Sequence, residues 1–176
     1  MNRKPVLLLA SFALVTFACA RASAHCQIPC GIYDDPARFT ALEEHVATIE
    51  KSMNQINELS KAEEPNWNQL VRWVSNKESH ADQLTEIVTF YFLAQRIKPA
   101  DPADRAAQGK YLRELTLLHQ MIVHAMKAKQ TTDLEHCVKL RELIAKLRAS
   151  YLGASGSGDA AAHSHPHPHP HTHSHQ

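Results

Sequence analysis

No stretch of the 176-residue chain is apolar for long enough to span a membrane, and neither sign of charge dominates it. The longest apolar run, VLLLASFALVTFACA at residues 6–20, falls short of the roughly 20 residues that a bilayer helix needs. It follows Arg3 and Lys4 and leads to Ala22-Ser23-Ala24, the small-residue pattern that precedes cleavage by signal peptidase. Residues 1–24 therefore read as a removed secretory signal, which places the protein outside the cytoplasm, in a periplasm or the extracellular medium. An uncleaved anchor is the competing reading, and Thr16-Phe17-Ala18 is a poor context for lipidation at Cys19. Without Arg3, Lys4 and Arg21 the remaining 152 residues carry 16 basic against 18 acidic side chains, a net charge of −2 with histidine neutral. That balance gives no footing for a nucleic-acid partner or for stable membrane association. Cysteine is scarce as well, with four in the chain. Cys19 leaves with the leader and Cys137 stands alone, so Cys26 and Cys30 are the only close pair. For an exported chain a disulfide between them is the default reading.

The alternation that marks strands is missing, and helical periodicity fills residues 34–152. Asp34-Asp35-Pro36 offers an N-cap and a first-turn proline, after which Phe39, Leu42, Val46, Ile49, Met53, Ile56 and Leu59 recur at mostly three- and four-residue steps. The spacing predicts a helix over 36–60. Past Pro65, a second helix to about residue 98 follows from Trp67, Leu70, Val74, Ala81, Leu84, Val88 and Tyr91, with Lys77 the one polar member of its stripe and Pro99 its stop. Tyr111, Leu115, Leu118, Ile122 and Ala125 mark a third helix over 102–129. A fourth starts at the capping box Thr132-x-x-Glu135, carries Leu140, Ile144, Leu147 and Tyr151, and ends at Gly153. Four helices with short connections predict an all-α fold, an antiparallel four-helix bundle over 34–152. The second helix is apolar on more than one face at IVTFYFLAQ, which points to packing between subunits or to a core that takes in Phe90, Tyr91 and Phe92.

Beyond the bundle the composition changes. GASGSGDAAA at 153–162 is a flexible linker, and HSHPHPHPHTHSHQ at 163–176 is a low-complexity tail with seven histidines at alternate positions. Such a disordered tail cannot pack a core, but its imidazoles suit borderline divalent metals. Extra metal on the tail is the functional reading, and an inert end is the alternative.

The stretch HCQIPCGIY at 25–33 carries the chemistry. Cleavage after Ala24 would free the α-amine of His25. That amine and the amide nitrogen joining His25 to Cys26 close a five-membered chelate ring, and the Cys26 thiolate closes a second ring with the same amide. Cys30 supplies another thiolate after a turn shaped by Pro29 and Gly31. The result is a planar set of two nitrogens and two sulfurs with the His25 imidazole as a fifth donor. Planar nitrogen and sulfur donors select Ni(II) or Cu(II) over tetrahedral zinc. Two thiolates would tend to reduce copper, which favours nickel.

This stretch resembles the nickel-hook signature His-Cys-x-x-Pro-Cys-Gly-x-Tyr of the nickel superoxide dismutase family, with every fixed position filled. The helical pattern behind it agrees with that family's four-helix bundle. The resemblance implies an antioxidant oxidoreductase that converts superoxide to dioxygen and hydrogen peroxide by cycling Ni(II) and Ni(III), with one nickel ion per subunit held by His25, Cys26 and Cys30. It implies that Tyr33 screens the metal's open face, and that six subunits assemble into a homohexamer. Glu43 or Glu44 as a partner of the His25 ring, and His80 near another subunit's hook, follow only from loose matching. The exported leader departs from the family's best-known members, whose leaders lack a secretory core, and the histidine tail lies outside the family pattern. A non-catalytic exported carrier of nickel or copper, using hook and tail together, is the alternative function. A disulfide-closed helical adaptor is a third.

Overall fold

The computed structural model describes residues 27–153. The leader at 1–24, His25, Cys26, the linker from residue 154 and the histidine tail lie outside the described residues. The chain parts into two units between Tyr33 and Asp34. Within the described residues the second unit is all-helical, with four helices and no strand.

Helix α1 spans Asp35–Leu59. Asp34 caps it, its carboxylate accepting the Ala37 N–H at 3.0 Å, and Pro36 occupies the first turn, where its missing N–H costs nothing. Phe39, Leu42, Val46, Ile49 and Met53 are fully buried, whereas Ile56 and Leu59 at the end of the same stripe are only half-buried.

Helix α2 spans Trp67–Glu86, capped by the Asn66 side chain on the Gln69 N–H at 3.2 Å. Leu70, Ala81 and Leu84 of the expected stripe are buried, but Trp67 is 71% and Val74 41% exposed. The reason lies at Lys77, which is buried and donates to the carbonyls of Ala128, Lys129 and Thr131. Lys77 already meets the C-terminal end of α3, so the turns of α2 before it have no α3 beside them.

The chain then continues not as the expected α-helix but as a π-helix over Ile87–Arg96. The N–H of Ile97 reaches the carbonyl of Phe92, five residues back, at 2.9 Å. This wider winding explains why IVTFYFLAQ looked apolar on several faces of a 3.6-residue helix. Tyr91 and Phe92 turn into the core and Phe90 stays half exposed, so the aromatic cluster is divided between core and surface.

Helix α3 spans Arg105–Gln130, with Asp104 accepting from the N–H groups of Ala106 and Ala107. Helix α4 spans Glu135–Leu152. The expected capping box at Thr132 does not form. The N-cap position is Leu134, without a side-chain bond, and Asp133 accepts the Glu135 N–H at 2.9 Å instead. Asp133 sits two residues from that orphan donor and so satisfies it more directly than Thr132 could.

Cross-helix pairs fix the packing. His45 meets His80 and Ser52 meets Asn76, so α1 and α2 run antiparallel. Glu50 pairs with Arg141 and Glu43 with Arg148, so α1 and α4 do too. Helices α2 and α3 also pack together, as do α3 and α4, which closes a ring of four around one core. That core holds Phe39, Phe92, Leu118, Met121, Leu140 and Ile144 among its largest side chains.

Candidate metal centre

Of the residues expected to bind or screen a metal, the described part of the chain contains Cys30 and Tyr33. They lie on one turn. The Cys30 N–H donates to the Gln27 carbonyl at 3.1 Å and the Ile32 N–H to the Pro29 carbonyl at 2.7 Å. Gly31, at φ +81°, takes the left-handed conformation that a residue with a Cβ adopts only at a cost. These two bonds and the glycine reverse the chain at the Pro-Cys-Gly step. Cys30 is exposed, and Tyr33 is 38% exposed. Because the Cys30 amide already donates to Gln27, Cys30 offers a metal its sulfur and not its backbone nitrogen. That fits a donor set in which the single backbone amide ligand comes from Cys26.

The bundle begins immediately after this turn in the sequence, and a polar cluster sequence reasoning missed holds its first helical turn. Arg96 clasps Asp35 with two hydrogen bonds, Nε to Oδ1 at 2.9 Å and Nη2 to Oδ2 at 2.5 Å. The hydroxyls of Tyr91 and Tyr151 donate to the same carboxylate at 2.7 and 3.0 Å. Burial works to raise the Asp35 pKa, but the bonds from Arg96, Tyr91 and Tyr151 outweigh it and hold the carboxyl below its usual range. Burial, then the bond to Asp35, pushes the Tyr151 hydroxyl up to about 12, and Tyr91 rises for the same reasons. The π-helix makes this cluster possible. At 100° per residue an α-helix would set Tyr91 and Arg96 roughly 140° apart, whereas i→i+5 winding returns the sixth residue to nearly the same face.

The other residues singled out in the sequence lie on the helices. The Glu43 carboxylate accepts from Arg148 at 2.9 Å. Glu44 lies exposed on α1. His80 faces His45, Nδ1 to Nδ1, at 2.9 Å. Cys137 is fully buried with its thiol 3.7 Å from the Met53 sulfur, and burial raises its pKa to about 11. It therefore stays a protonated core thiol, unsuited to binding metal. Among the described residues, no three His, Cys, Asp or Glu side chains converge as a metal cluster, and no helix is long and apolar enough to cross a membrane.

Neither a curated protein nor a solved structure shows significant similarity to the chain. Residues 20–154 match the family model described as nickel-containing superoxide dismutase.

Proposed function

The chain belongs to the nickel-containing superoxide dismutase family, and from that premise we propose that its nickel is held by His25, Cys26 and Cys30 at the amino terminus of the processed protein. The family makes the chain an oxidoreductase with a nickel cofactor. The match over residues 20–154, which spans both the hook and the helices, is the observation that carries the reading. When bound, nickel in a field of two thiolates and a deprotonated amide supplies a Ni(II)/Ni(III) couple able to oxidise one superoxide and reduce the next.

The protein's own residues do the holding and screening. The His25 amine and imidazole, the Cys26 amide nitrogen and thiolate, and the Cys30 thiolate would hold the metal. Within the turn at 27–33 the Cys30 amide is tied to the Gln27 carbonyl, which makes the thiolate the donor that Cys30 would contribute. Tyr33 restricts access to an ion as small as superoxide. Thiolates in such a site must keep their metal, because bare they oxidise.

Export, a hexameric assembly and loading of extra divalent metal on the histidine tail complete the proposal. The half-exposed Phe90 and the exposed Trp67, Val71 and Val74 give subunits apolar surface to cover. Metal traffic without catalysis is confined, on this reading, to the tail, which lies outside the matched residues.

Superoxide turnover measured against bound nickel tests the ligand set. Activity should scale with nickel content and fall by at least a hundredfold in Cys26→Ser and in Cys30→Ser, beyond the roughly 10- to 100-fold that losing a mere outer-shell partner of a ligand costs, with helical circular dichroism retained. Near-normal turnover in either variant would refute the two-thiolate site.

A further inference from the structure

Two pairs of imidazoles face each other across helices of the bundle. His45 of α1 and His80 of α2 approach to 2.9 Å between their Nδ1 atoms, with ring centroids 5.1 Å apart. His124 of α3 and His136 of α4 approach to 3.4 Å, with centroids at 5.4 Å. Both rings of the first pair are half-buried. Their Nδ1 atoms cannot both carry a proton at 2.9 Å, so at least one lone pair points at its neighbour.

We propose that His45 and His80 form a bidentate imidazole site for a divalent late first-row cation of the Ni(II) or Cu(II) type. Imidazole nitrogens and the stability order of the divalent ions favour a cation of this type. The rings now meet head-on, with the nitrogens 2.9 Å and the centroids 5.1 Å apart, and turning both rings aims their lone pairs at one ion with bonds of about 2.0–2.1 Å. Without metal, one Nδ1–H donates to the other Nδ1. The incoming cation replaces that proton, which passes to the same ring's Nε2 by tautomer exchange through water.

The electrostatic surroundings favour this pair over the other. The charged groups acting on His45 are His80 and Glu44, and burial with His80 holds the imidazole below its ordinary range despite Glu44. It is thus neutral and able to ligate near pH 7. Lys127 and Lys139 act on His124 against the single carboxylate of Glu135, so the charge there is less favourable to a cation. No third His, Cys, Asp or Glu completes a cluster among the described residues, so water fills the remaining positions and the affinity is moderate.

The pair exists only when α1 and α2 are packed, so metal bound there stabilises the fold. The His45 and His80 variants keep the histidine tail, so any rise caused by metal on the tail appears in them too and drops out of the comparison. The test is thermal unfolding of the full, nickel-loaded protein with added Ni(II). At tenfold excess over the dissociation constant the midpoint should rise by about 3–6 °C. His45→Ala and His80→Ala should each lose the same part of that rise, and the double variant should lose no more than either. An equal rise in wild type and double variant overturns the site. Should a variant fail to fold, the wild-type imidazole resonances decide. Joint broadening of the His45 and His80 ring signals by Ni(II) supports the site, and unchanged signals for both overturn it.

Discussion

Asp35 concentrates more hydrogen bonds than any other described carboxylate, and its substitution isolates what that clasp contributes. Asp35→Asn keeps the shape but loses the charge that Arg96, Tyr91 and Tyr151 address. A cost of about 2–4 kcal/mol follows for leaving a partly buried guanidinium without its counter-charge, readable as a lower urea midpoint with an unchanged slope. The pH dependence has a definite sign. Since the folded-state pKa of Asp35 is lowered, its contribution is complete above the ordinary carboxylate pKa of about 3.9 and is lost as pH falls through the lowered value. The wild-type margin over Asp35→Asn should therefore shrink in acid, below about pH 4, and a margin constant down to the lowest pH at which both fold would contradict the clasp. In the sequence Asp35 was visible only as a neighbour of the N-cap. Its partners lie 56, 61 and 116 positions away, and no local pattern links them. The hook residues were legible for the opposite reason, because chelate rings are built from adjacent residues and leave their spacing in the sequence.

At the scale of elements, the four helices were legible from periodicity and turn residues, and what escaped was how their ends are finished. The 3.6-residue pattern carried α2 straight through to residue 98, whereas tertiary partners of Tyr91 and Arg96 hold that stretch in π form. Thr132 and Glu135 had the right spacing for a capping box, but Asp133, between them, competes for the same N–H. Lys77 stood out as the polar member of an apolar stripe, and its role appears only when α3 is beside it. Its ammonium satisfies carbonyls that the last turn of a helix leaves without partners, at the negative end of the helix dipole. Lys77→Met should fit the apolar surroundings yet destabilise by about 2–4 kcal/mol, because one buried and two partly buried carbonyls lose their donor. Hydrogen exchange should locate the loss at the C-terminal turn of α3. Wild-type stability in this variant would show that water replaces the lysine.

Across the whole molecule, the bundle's ring of packed helices is separate in composition from the residues that follow it. The family match ends at residue 154, so the tail should be dispensable for chemistry. Truncation after Leu152 should leave turnover per nickel-loaded site within twofold of the full chain, while the number of weakly bound divalent ions falls. A large loss per loaded site would bring a tail imidazole into catalysis. The central claim concerns the other end, where His25 must present a free amine. The most direct measurement compares two nickel-reconstituted proteins, one beginning HCQIPCGIY and one retaining Ala24, for hook-bound nickel and superoxide turnover. The account predicts full activity for the first and, for the second, loss of the amine ligand with turnover down by at least a hundredfold, beyond the roughly 10- to 100-fold cost of losing an outer-shell partner. Equal nickel content and equal turnover in the two would contradict it.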